Sequence, residues 1–502
     1  MERELEQKLL GECKKHISRY MAKLREADTD RRRYERRTGK DALRPSDSLP
    51  RHWRFDQQFD PFYVRSHSAS IAHAVTKKIK SGLYEPRPCL RLEIPKKGGG
   101  TRGISIFTIV DSAVSCWLHE KLLDRNYPAF SGYSYAYRSD RSGHHAIEHL
   151  AAAMKTKQRA YILEYDFKKY FDSIHPDYLL RVIKAHVKCT PREESLIRAF
   201  LRYQFAEGEP GYESATFASS IIGFPQGTTI SLFFANIACV ELDREIERTG
   251  AMFARYADDT VIVCDDYGTA NRLAGIMLTH GVRSGAGINE EKSEGISQVG
   301  EERLTELKKA SESFVFLGHQ ISTRGVTPAS RTVERLKREL GLIIYHNLLL
   351  YPKRGNINPA RIANGVDWDL VDCIAELRRA LYGGLSSAYL NSALAKTQPL
   401  RLSLCKLSYY ALVEDAEEFG RLDGWLADVL SKSYNHRRHI LQQMGHTLPG
   451  ISKLALVDGS WYSSVVKDEN SLPSVVKSWR YARKCYLAFG AKLCPPPPRY
   501  DA

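Results

Sequence analysis

Tyr256-Ala257-Asp258-Asp259 sets two carboxylates side by side between two short apolar runs, Ala251-Met252-Phe253-Ala254 and Thr260-Val261-Ile262-Val263-Cys264. Such runs read as strands, and the segment between them as a hairpin with the acidic pair at its tip. Two like charges that close are unfavourable unless something cationic neutralises them. A pair of Mg²⁺ ions would do so, and two-metal sites of that kind stabilise in-line phosphoryl transfer. A solvated Asp-Asp turn has the same local sequence. The rest of the chain must therefore supply the partners that chemistry needs.

The chain has 502 residues, enough for two to four domains, and its 43% hydrophobic and 26% charged content fits a soluble globular protein. A net charge of +15 favours a polyanionic partner, nucleic acid before an anionic membrane surface. No apolar stretch is long enough to span a bilayer, and the first residues, Met1 to Glu6, are charged. The expectation is a cytoplasmic protein with no membrane partner. Ten cysteines show no Cys-x-x-Cys spacing and read as small buried hydrophobes.

Leu5, Leu9, Cys13, Ile17, Met21 and Leu24 recur at helical spacing, which predicts an amphipathic helix over about the first 25 residues. Arg31, Arg32, Arg33, Arg36 and Arg37 follow as a basic run, either a solvated face or a contact for a nucleic-acid backbone. Leu90, Leu92 and Ile94, then Ile104 and Ile106, alternate on two strands around the turn Pro95 to Gly100. Helices are predicted over 109–124, from Pro176, over 228–248 and near 268–281. Strands are predicted over 161–166 and around 314–321. From about residue 330 the pattern is helical, and Pro495 to Pro498 form a short polyproline tail.

A two-metal site needs a third carboxylate on a neighbouring strand, and Asp166, at the end of Tyr161-Ile162-Leu163-Glu164-Tyr165, is the candidate. Around it the residues resemble a known family. Tyr165 to Ile174 resembles the first palm motif of reverse transcriptases, Gly223-Phe224-Pro225-Gln226-Gly227 their PQG motif, and Arg255 to Asp259 their YxDD box. Gly287 to Ser293 and Phe316-Leu317-Gly318 are similar to the two later palm motifs. Ile94-Pro95-Lys96 with Arg102 and Asp111, and then Tyr133 to Arg138, resemble the fingers motifs of the bacterial and group II intron branch. These blocks cover residues 84–320 in the family's order.

The resemblance implies an α+β right-hand polymerase. Its parts would be an N-terminal helical basic extension (1–83), fingers (84–160), and a palm of antiparallel sheet plus helices (161–329, with a finger-linked segment at about 180–220). An α-helical thumb (330–445) and a C-terminal extension with a Pro-rich tail (446–502) would follow. It implies RNA-directed DNA polymerase activity with two Mg²⁺ ions, Mn²⁺ being the alternative, and dNTP substrates. Asp166, Asp258 and Asp259 would be the catalytic metal ligands, joined by the backbone carbonyl of Phe167. Lys96 and Arg102 would lie over the triphosphate. Phe171 would be the steric gate against a 2′-hydroxyl, and Gln226, Gly227 and Tyr256 would shape the nucleotide pocket. Lys292 would either protonate the leaving pyrophosphate or pair with Glu290 or Glu291. Phe316, Leu317 and Gly318 would form the primer grip.

Phe107 and Ser112 depart from the family's usual proline and arginine. No nuclease, protease or integrase signature is recognised. Among reverse transcriptases the chain most resembles the bacterial unknown-group, defence-associated enzymes. That resemblance implies a structured noncoding RNA partner and a repetitive or homopolymeric cDNA product, in antiphage defence; a homo-oligomer is compatible with it. A retron or group II intron-type enzyme (a maturase) and a non-catalytic RNA-binding scaffold are the alternatives. Arg437 and Arg438, beside His436 and His439, either touch RNA phosphates or cap a helix. The tyrosines of the C-terminal half (Tyr345, Tyr351, Tyr382, Tyr389, Tyr409, Tyr410 and Tyr434) are either packing residues or candidate protein primers.

Overall fold

The computed structural model describes residues 1–44, 48–95, 101–206, 223–291, 293–300, 310–462 and 470–491. Lys96, Lys292 and the polyproline tail lie outside the described residues.

The first helix, α1 (Glu2–Thr38), runs well past the apolar stripe that predicts it and ends at Gly39, whose φ of 68° makes a left-handed cap. Its second half is sustained by charge. Arg31 pairs with Glu35 at 2.7 Å and Arg32 with Asp28 at 2.8 Å, each one helical turn apart. Leu5, Leu9 and Cys13 bury its first half among α2 (Ser68–Lys80) and α3 (Ile109–Asn126). Between them β1 (Leu90–Pro95) and β2 (Thr101–Ile106) form an antiparallel pair, with Leu90 opposite Ile106 and Pro95 opposite Thr101.

A five-stranded sheet forms the middle of the molecule. Its strands are β3 (Arg159–Tyr165), β4 (Met252–Tyr256), β5 (Asp259–Cys264), β6 (Gly295–Gly300) and β7 (Ala310–Ser311), in the order β4-β5-β3-β6-β7. All neighbours are antiparallel except β6 and β7. Both faces are covered. Leu163 and Ile262 enter one core, while Ala160, Ile162, Val261 and Val263 enter a second that also holds Ile147 and Leu150 of α4 (Gly143–Lys155). That two-sided burial explains the unbroken apolar run of β5.

The helical stretch predicted over 228–248 is two helices, α5 (Ile230–Ile237) and α6 (Val240–Glu247). The Tyr170 hydroxyl donates to the carbonyl of Ala235 at 2.7 Å and the Tyr178 hydroxyl to that of Ala238 at 3.0 Å, which occupies carbonyls around the break. A three-stranded meander follows: β8 (Phe314–Phe316), β9 (His319–Ser322) and β10 (Gly325–Pro328). The helices α7 (Ser330–Leu348), α8 (Trp368–Tyr382), α9 (Glu417–Gln443) and α10 (Val475–Phe489) then build a separate core, with Leu340, Leu377, Leu426 and Val475 all at 0% exposure. Residues on both sides of position 446 share that core.

Candidate active site

Strand register brings the acidic residues together. Tyr165 on β3 faces Thr260 on β5, so one step further along the same ladder puts Asp166 level with Asp259. Tyr256 pairs with Asp259 across the hairpin, which leaves Ala257 and Asp258 as its two-residue loop. Asp259 therefore opens β5 rather than sitting at the tip beside Asp258. On the other side of β3, Asn289 closes the ladder. Its N–H donates to the Asp166 carbonyl at 2.8 Å and its Nδ2 to Asp166 Oδ2 at 3.3 Å. The Lys168 N–H donates to the Gly287 carbonyl at 2.8 Å. That ladder uses the Asp166 carbonyl and the Lys168 N–H, so the Phe167 carbonyl faces the opposite edge, the side on which β5 lies.

Ala257 has φ 60°, a left-handed conformation that costs a non-glycine residue about 1–3 kcal/mol. Arg255 holds it there. The guanidinium, 0% exposed, takes both carboxylate oxygens of Asp243 at 2.8 and 2.6 Å and donates from Nη1 to the Ala257 carbonyl at 3.0 Å. Burial works against its charge, and the adjacent Asp243 carboxylate outweighs that penalty, so its pKa is raised. Its Nη2 also donates to Ser134 Oγ at 2.9 Å, tying in the segment 133–138. Asn236 fixes the same segment through the Ala136 carbonyl at 2.7 Å. The next residue, Tyr137, has φ 58°. Burial, then the charges of Asp258, Tyr256 and Asp259, push its hydroxyl up to about 12, so it stays a proton donor at neutral pH.

Five described non-glycine residues have positive φ, and four of them, Tyr137, Lys169, Ala257 and Leu317, lie in the sequence blocks singled out for chemistry. Strain of this kind persists where surrounding contacts over-determine the backbone.

The segment Gly223–Gly227 locks onto the same site. A Cβ at Gly223 would lie 2.4 Å from the Phe171 carbonyl, and one at Gly227 would lie 2.1 Å from the Ser105 carbonyl; both glycines have positive φ. The Phe224 N–H donates to the Phe171 carbonyl at 2.9 Å, and the two rings pack edge to face with centroids 5.2 Å apart. The Gln226 carbonyl accepts from the Ser105 N–H at 2.7 Å, and its side chain accepts from Arg102 Nε at 3.2 Å. Gly223–Gly227 thus ties Arg102 and Ser105 on one side to Phe171 on the other, five residues beyond Asp166.

Other expected residues fall elsewhere. Phe316, Leu317 and Gly318 are all buried, in the tight turn between β8 and β9. The Gly318 carbonyl accepts from Ala329 N–H and Thr332 Oγ1, which fixes the turn to the start of α7. Asp111 is buried at the start of α3, where it accepts hydrogen bonds from Tyr84 and Thr108, both at 2.6 Å.

Every arginine of the run has an acidic partner, and burial corrects the expectation of a phosphate contact at Arg37. Arg33 pairs with Glu376 at 2.6 Å and Arg36 with Asp372 at 2.9 Å, while Arg37, 2% exposed, donates to the His346 carbonyl at 2.7 Å and to Asn347. Arg31 and Arg32 make the intrahelical pairs described above. Arg437, 1% exposed, binds Asp367 and Asp369 and donates to the Leu348 carbonyl at 3.0 Å, so it caps the end of α7. Burial removes Arg37 and Arg437 from any phosphate-contacting surface. Arg438 is half-buried and donates to the Leu448 carbonyl. Of the C-terminal tyrosines, Tyr382, Tyr409, Tyr410 and Tyr434 are core residues, whereas Tyr345 is 37% exposed.

Asp243, Asn236 and Tyr137 are the site residues that sequence reasoning missed. Asp243 carried a readable signal: it shares a helix face with Val240 and Ile246, where a carboxylate needs a buried partner.

Residues 94–321 match the family model described as reverse transcriptase (RNA-dependent DNA polymerase). This segment belongs to the reverse transcriptase family. Among curated proteins, Escherichia coli YkfC is 23% identical over 286 residues, covering 49% of this chain and 69% of YkfC. The group II intron-encoded protein LtrA of Lactococcus lactis is 28% identical over 193 residues, 37% of this chain and 30% of LtrA. An uncharacterized 91 kDa protein in the cob intron of Schizosaccharomyces pombe is 29% identical over 187 residues, and only 22% of it is covered. The chain thus spans less than a third of the two intron proteins. Among solved structures, apo telomerase from Candida tropicalis aligns over 83% of this chain and 73% of its own, at 11% identity and a TM-score of 0.37. The reverse-transcriptase domain and its sheet have the right-hand polymerase fold, and among the described residues no helix is long and apolar enough to cross a membrane.

Proposed function

We propose that the chain is an RNA-directed DNA polymerase whose centre is Asp166, Asp258 and Asp259. The observation that carries this reading is the shared register of Asp166 and Asp259, with Asp258 in the adjoining loop. An all-oxygen donor set suits Mg²⁺. Among the described residues no three His, Cys, Asp or Glu side chains form a ready-made cage. Mg²⁺ is held by one or two carboxylates plus substrate phosphates. Bound there, the ions would stabilise charge on the attacking and leaving oxygens.

The chain's own residues do the rest. Arg102, braced by Gln226, offers a guanidinium to the triphosphate. Phe171, set by Gly223 and Phe224, closes the space beside the sugar 2′ position. Arg255 keeps the Ala257 turn, and so Asp258, in place. Lys96 and the Phe167 carbonyl complete the proposed set. Helices from residue 330 would serve as the thumb.

The test is dNTP incorporation on an RNA template with a DNA primer. Asp258→Asn/Asp259→Asn should abolish it while the unfolding midpoint holds. A double variant with wild-type synthesis would refute the assignment. We infer further that the template is a dedicated structured noncoding RNA and that a repetitive or homopolymeric cDNA serves antiphage defence. The motif resemblance to bacterial unknown-group enzymes supports this. Sequencing cDNA bound to the protein in infected cells tests it, since low-complexity DNA is expected. Intron-length copies would instead favour a maturase, the reading to which the intron-encoded relatives point.

A further inference from the structure

The arginine run on α1 is consumed by carboxylates, but a second cluster nearby is not. Arg51, Arg54 and Arg65 are exposed, and among the described residues none has a carboxylate partner. Between them stand two exposed rings, Phe55 at 36% and Phe62 at 39%. Each is braced from behind. Phe55 packs against the buried Phe59 with centroids 5.9 Å apart, and Phe62 against the buried Trp53, also at 5.9 Å. His52 links Phe59 to Trp53, at 6.4 Å from each, and Trp53 backs onto Tyr20 of α1 at 5.3 Å. The Arg65 guanidinium lies over the Phe62 ring at 5.7 Å.

The backbone under these rings is also fixed. Asp56 accepts from the Gln58 N–H at 2.8 Å, and Asp60 from the Phe62 N–H at 2.9 Å, where it caps the short helix Pro61–Ser66. The result is a continuous ladder of rings whose two ends reach solvent, flanked by the exposed Arg51 and Arg54 and by Arg65 against the Phe62 ring. A ligand that matches it needs flat faces to stack and negative charges at regular spacing. A duplex hides its base faces, whereas a single strand offers both.

We propose that Phe55 and Phe62, with Arg51, Arg54 and Arg65, form a binding surface for single-stranded RNA outside the catalytic centre. The choice of RNA as ligand rests on the polymerase reading. Binding itself is measured without synthesis.

The experiment uses the full chain and a labelled, unstructured RNA of roughly 12 nucleotides containing 4-thiouridine, within the usual site size for such surfaces. Ultraviolet cross-linking should yield adducts within residues 51–65. Phe55→Ala/Phe62→Ala should lose those adducts and weaken binding about tenfold or more, with an unchanged unfolding midpoint. Phe55→Tyr/Phe62→Tyr, which keeps the stacking faces, should restore them. Arg51→Gln/Arg54→Gln should flatten the salt dependence by about 1.4, at ~0.7 per phosphate contact. An RNA duplex should respond to none of the ring variants. No adduct within 51–65, or full affinity in the folded double alanine variant, would overturn the proposal. Loss of a protein partner or of self-association by that variant, with RNA affinity intact, would overturn it in favour of a protein-docking surface. A wild-type protein that binds here but makes no cDNA would count against the polymerase reading alone.

Discussion

Asp243 grips Arg255 through both carboxylate oxygens, and Arg255 in turn holds the carbonyl of Ala257, one residue before Asp258. Both partners are at most 1% exposed, so the geometry of the acidic turn is set from beneath the sheet. Removing one member of a buried pair leaves the other charge uncompensated. Asp243→Asn should cost about 3–5 kcal/mol in urea unfolding. Replacing both, as in Asp243→Leu/Arg255→Met, should recover much of that stability. It should not recover dNTP incorporation, because the Ala257 carbonyl has lost its donor. A double variant that is both stable and fully active would show that the turn needs no such support.

Gly223 and Phe171 make a separate prediction about the sugar. The Gly223 backbone approaches the Phe171 carbonyl so closely that a Cβ has no room, and φ there is 98°. Phe171→Ala should raise incorporation of ribonucleotides relative to deoxynucleotides by about tenfold or more, since only a steric contact enforces the choice. Gly223→Ala should blur the same discrimination without touching the ring. The measurement is the ratio of kcat/KM for a matched NTP and dNTP. An unchanged ratio in Phe171→Ala would remove the gate assignment.

The acidic centre was readable because the two apolar runs flanking Asp258 have strand length with a turn between them, and a third such run ends at Asp166. Antiparallel pairing then leaves little choice about which carboxylates meet. Arg37 was misread, and Arg437 was left between a phosphate contact and a helix cap, for a definable reason. A run of arginines has the same local sequence whether it faces water or a carboxylate contributed by a distant helix. Asp369, which meets both, lies hundreds of residues from Arg37. β6 was missed because Gly295-Ile296-Ser297-Gln298-Val299-Gly300 lacks a strong strand signature and is recruited by its neighbour β3.

That arginine cluster ties the chain's two ends together. α1 leaves the first core near Tyr20, and its residues 21–30 include none that is buried. It then plugs Arg37 into the C-terminal core beside Asn347 and Asp369. Asp369 keeps Arg361 at 2.6 Å and Arg437 at 2.8 Å, so Arg37→Ala should not unfold the C-terminal helices. It should instead release the last turns of α1. Amide hydrogen exchange over residues 28–38 should accelerate, corresponding to about 2–5 kcal/mol of lost local protection, while exchange in α9 stays as it was. Equal acceleration in both places would mean that the contact supports global stability rather than a local latch.

The joint of α4 and the β8–β10 meander with the C-terminal segment at Tyr409 and Tyr410 should be acid-sensitive, and the sign follows from two histidines. His319, at 0% exposure, lies between the rings of Tyr409 and Tyr410 at 5.3 and 5.2 Å, and its Nε2 is buried without a hydrogen-bond partner. Burial pushes its pKa down to about 3. His144 Nε2 lies 2.9 Å from the Tyr409 carbonyl, and burial pushes that pKa down to about 4. Unfolded histidine titrates near 6.5. Below that value the unfolded chain binds protons the folded chain refuses, so this contribution is complete above about pH 6.5 and is lost as pH falls toward 4 and then 3. Each histidine should cost about 2 kcal/mol at pH 5 relative to pH 7.5, at ~1.4 kcal/mol per pH unit. His319→Phe removes one of the two titrating groups while keeping a ring between the tyrosines. Urea unfolding of that variant should show a pH dependence between 7.5 and 5 about 2 kcal/mol smaller than that of the parent chain. Identical slopes in the two proteins would mean that His319 accepts its proton without disturbing the joint.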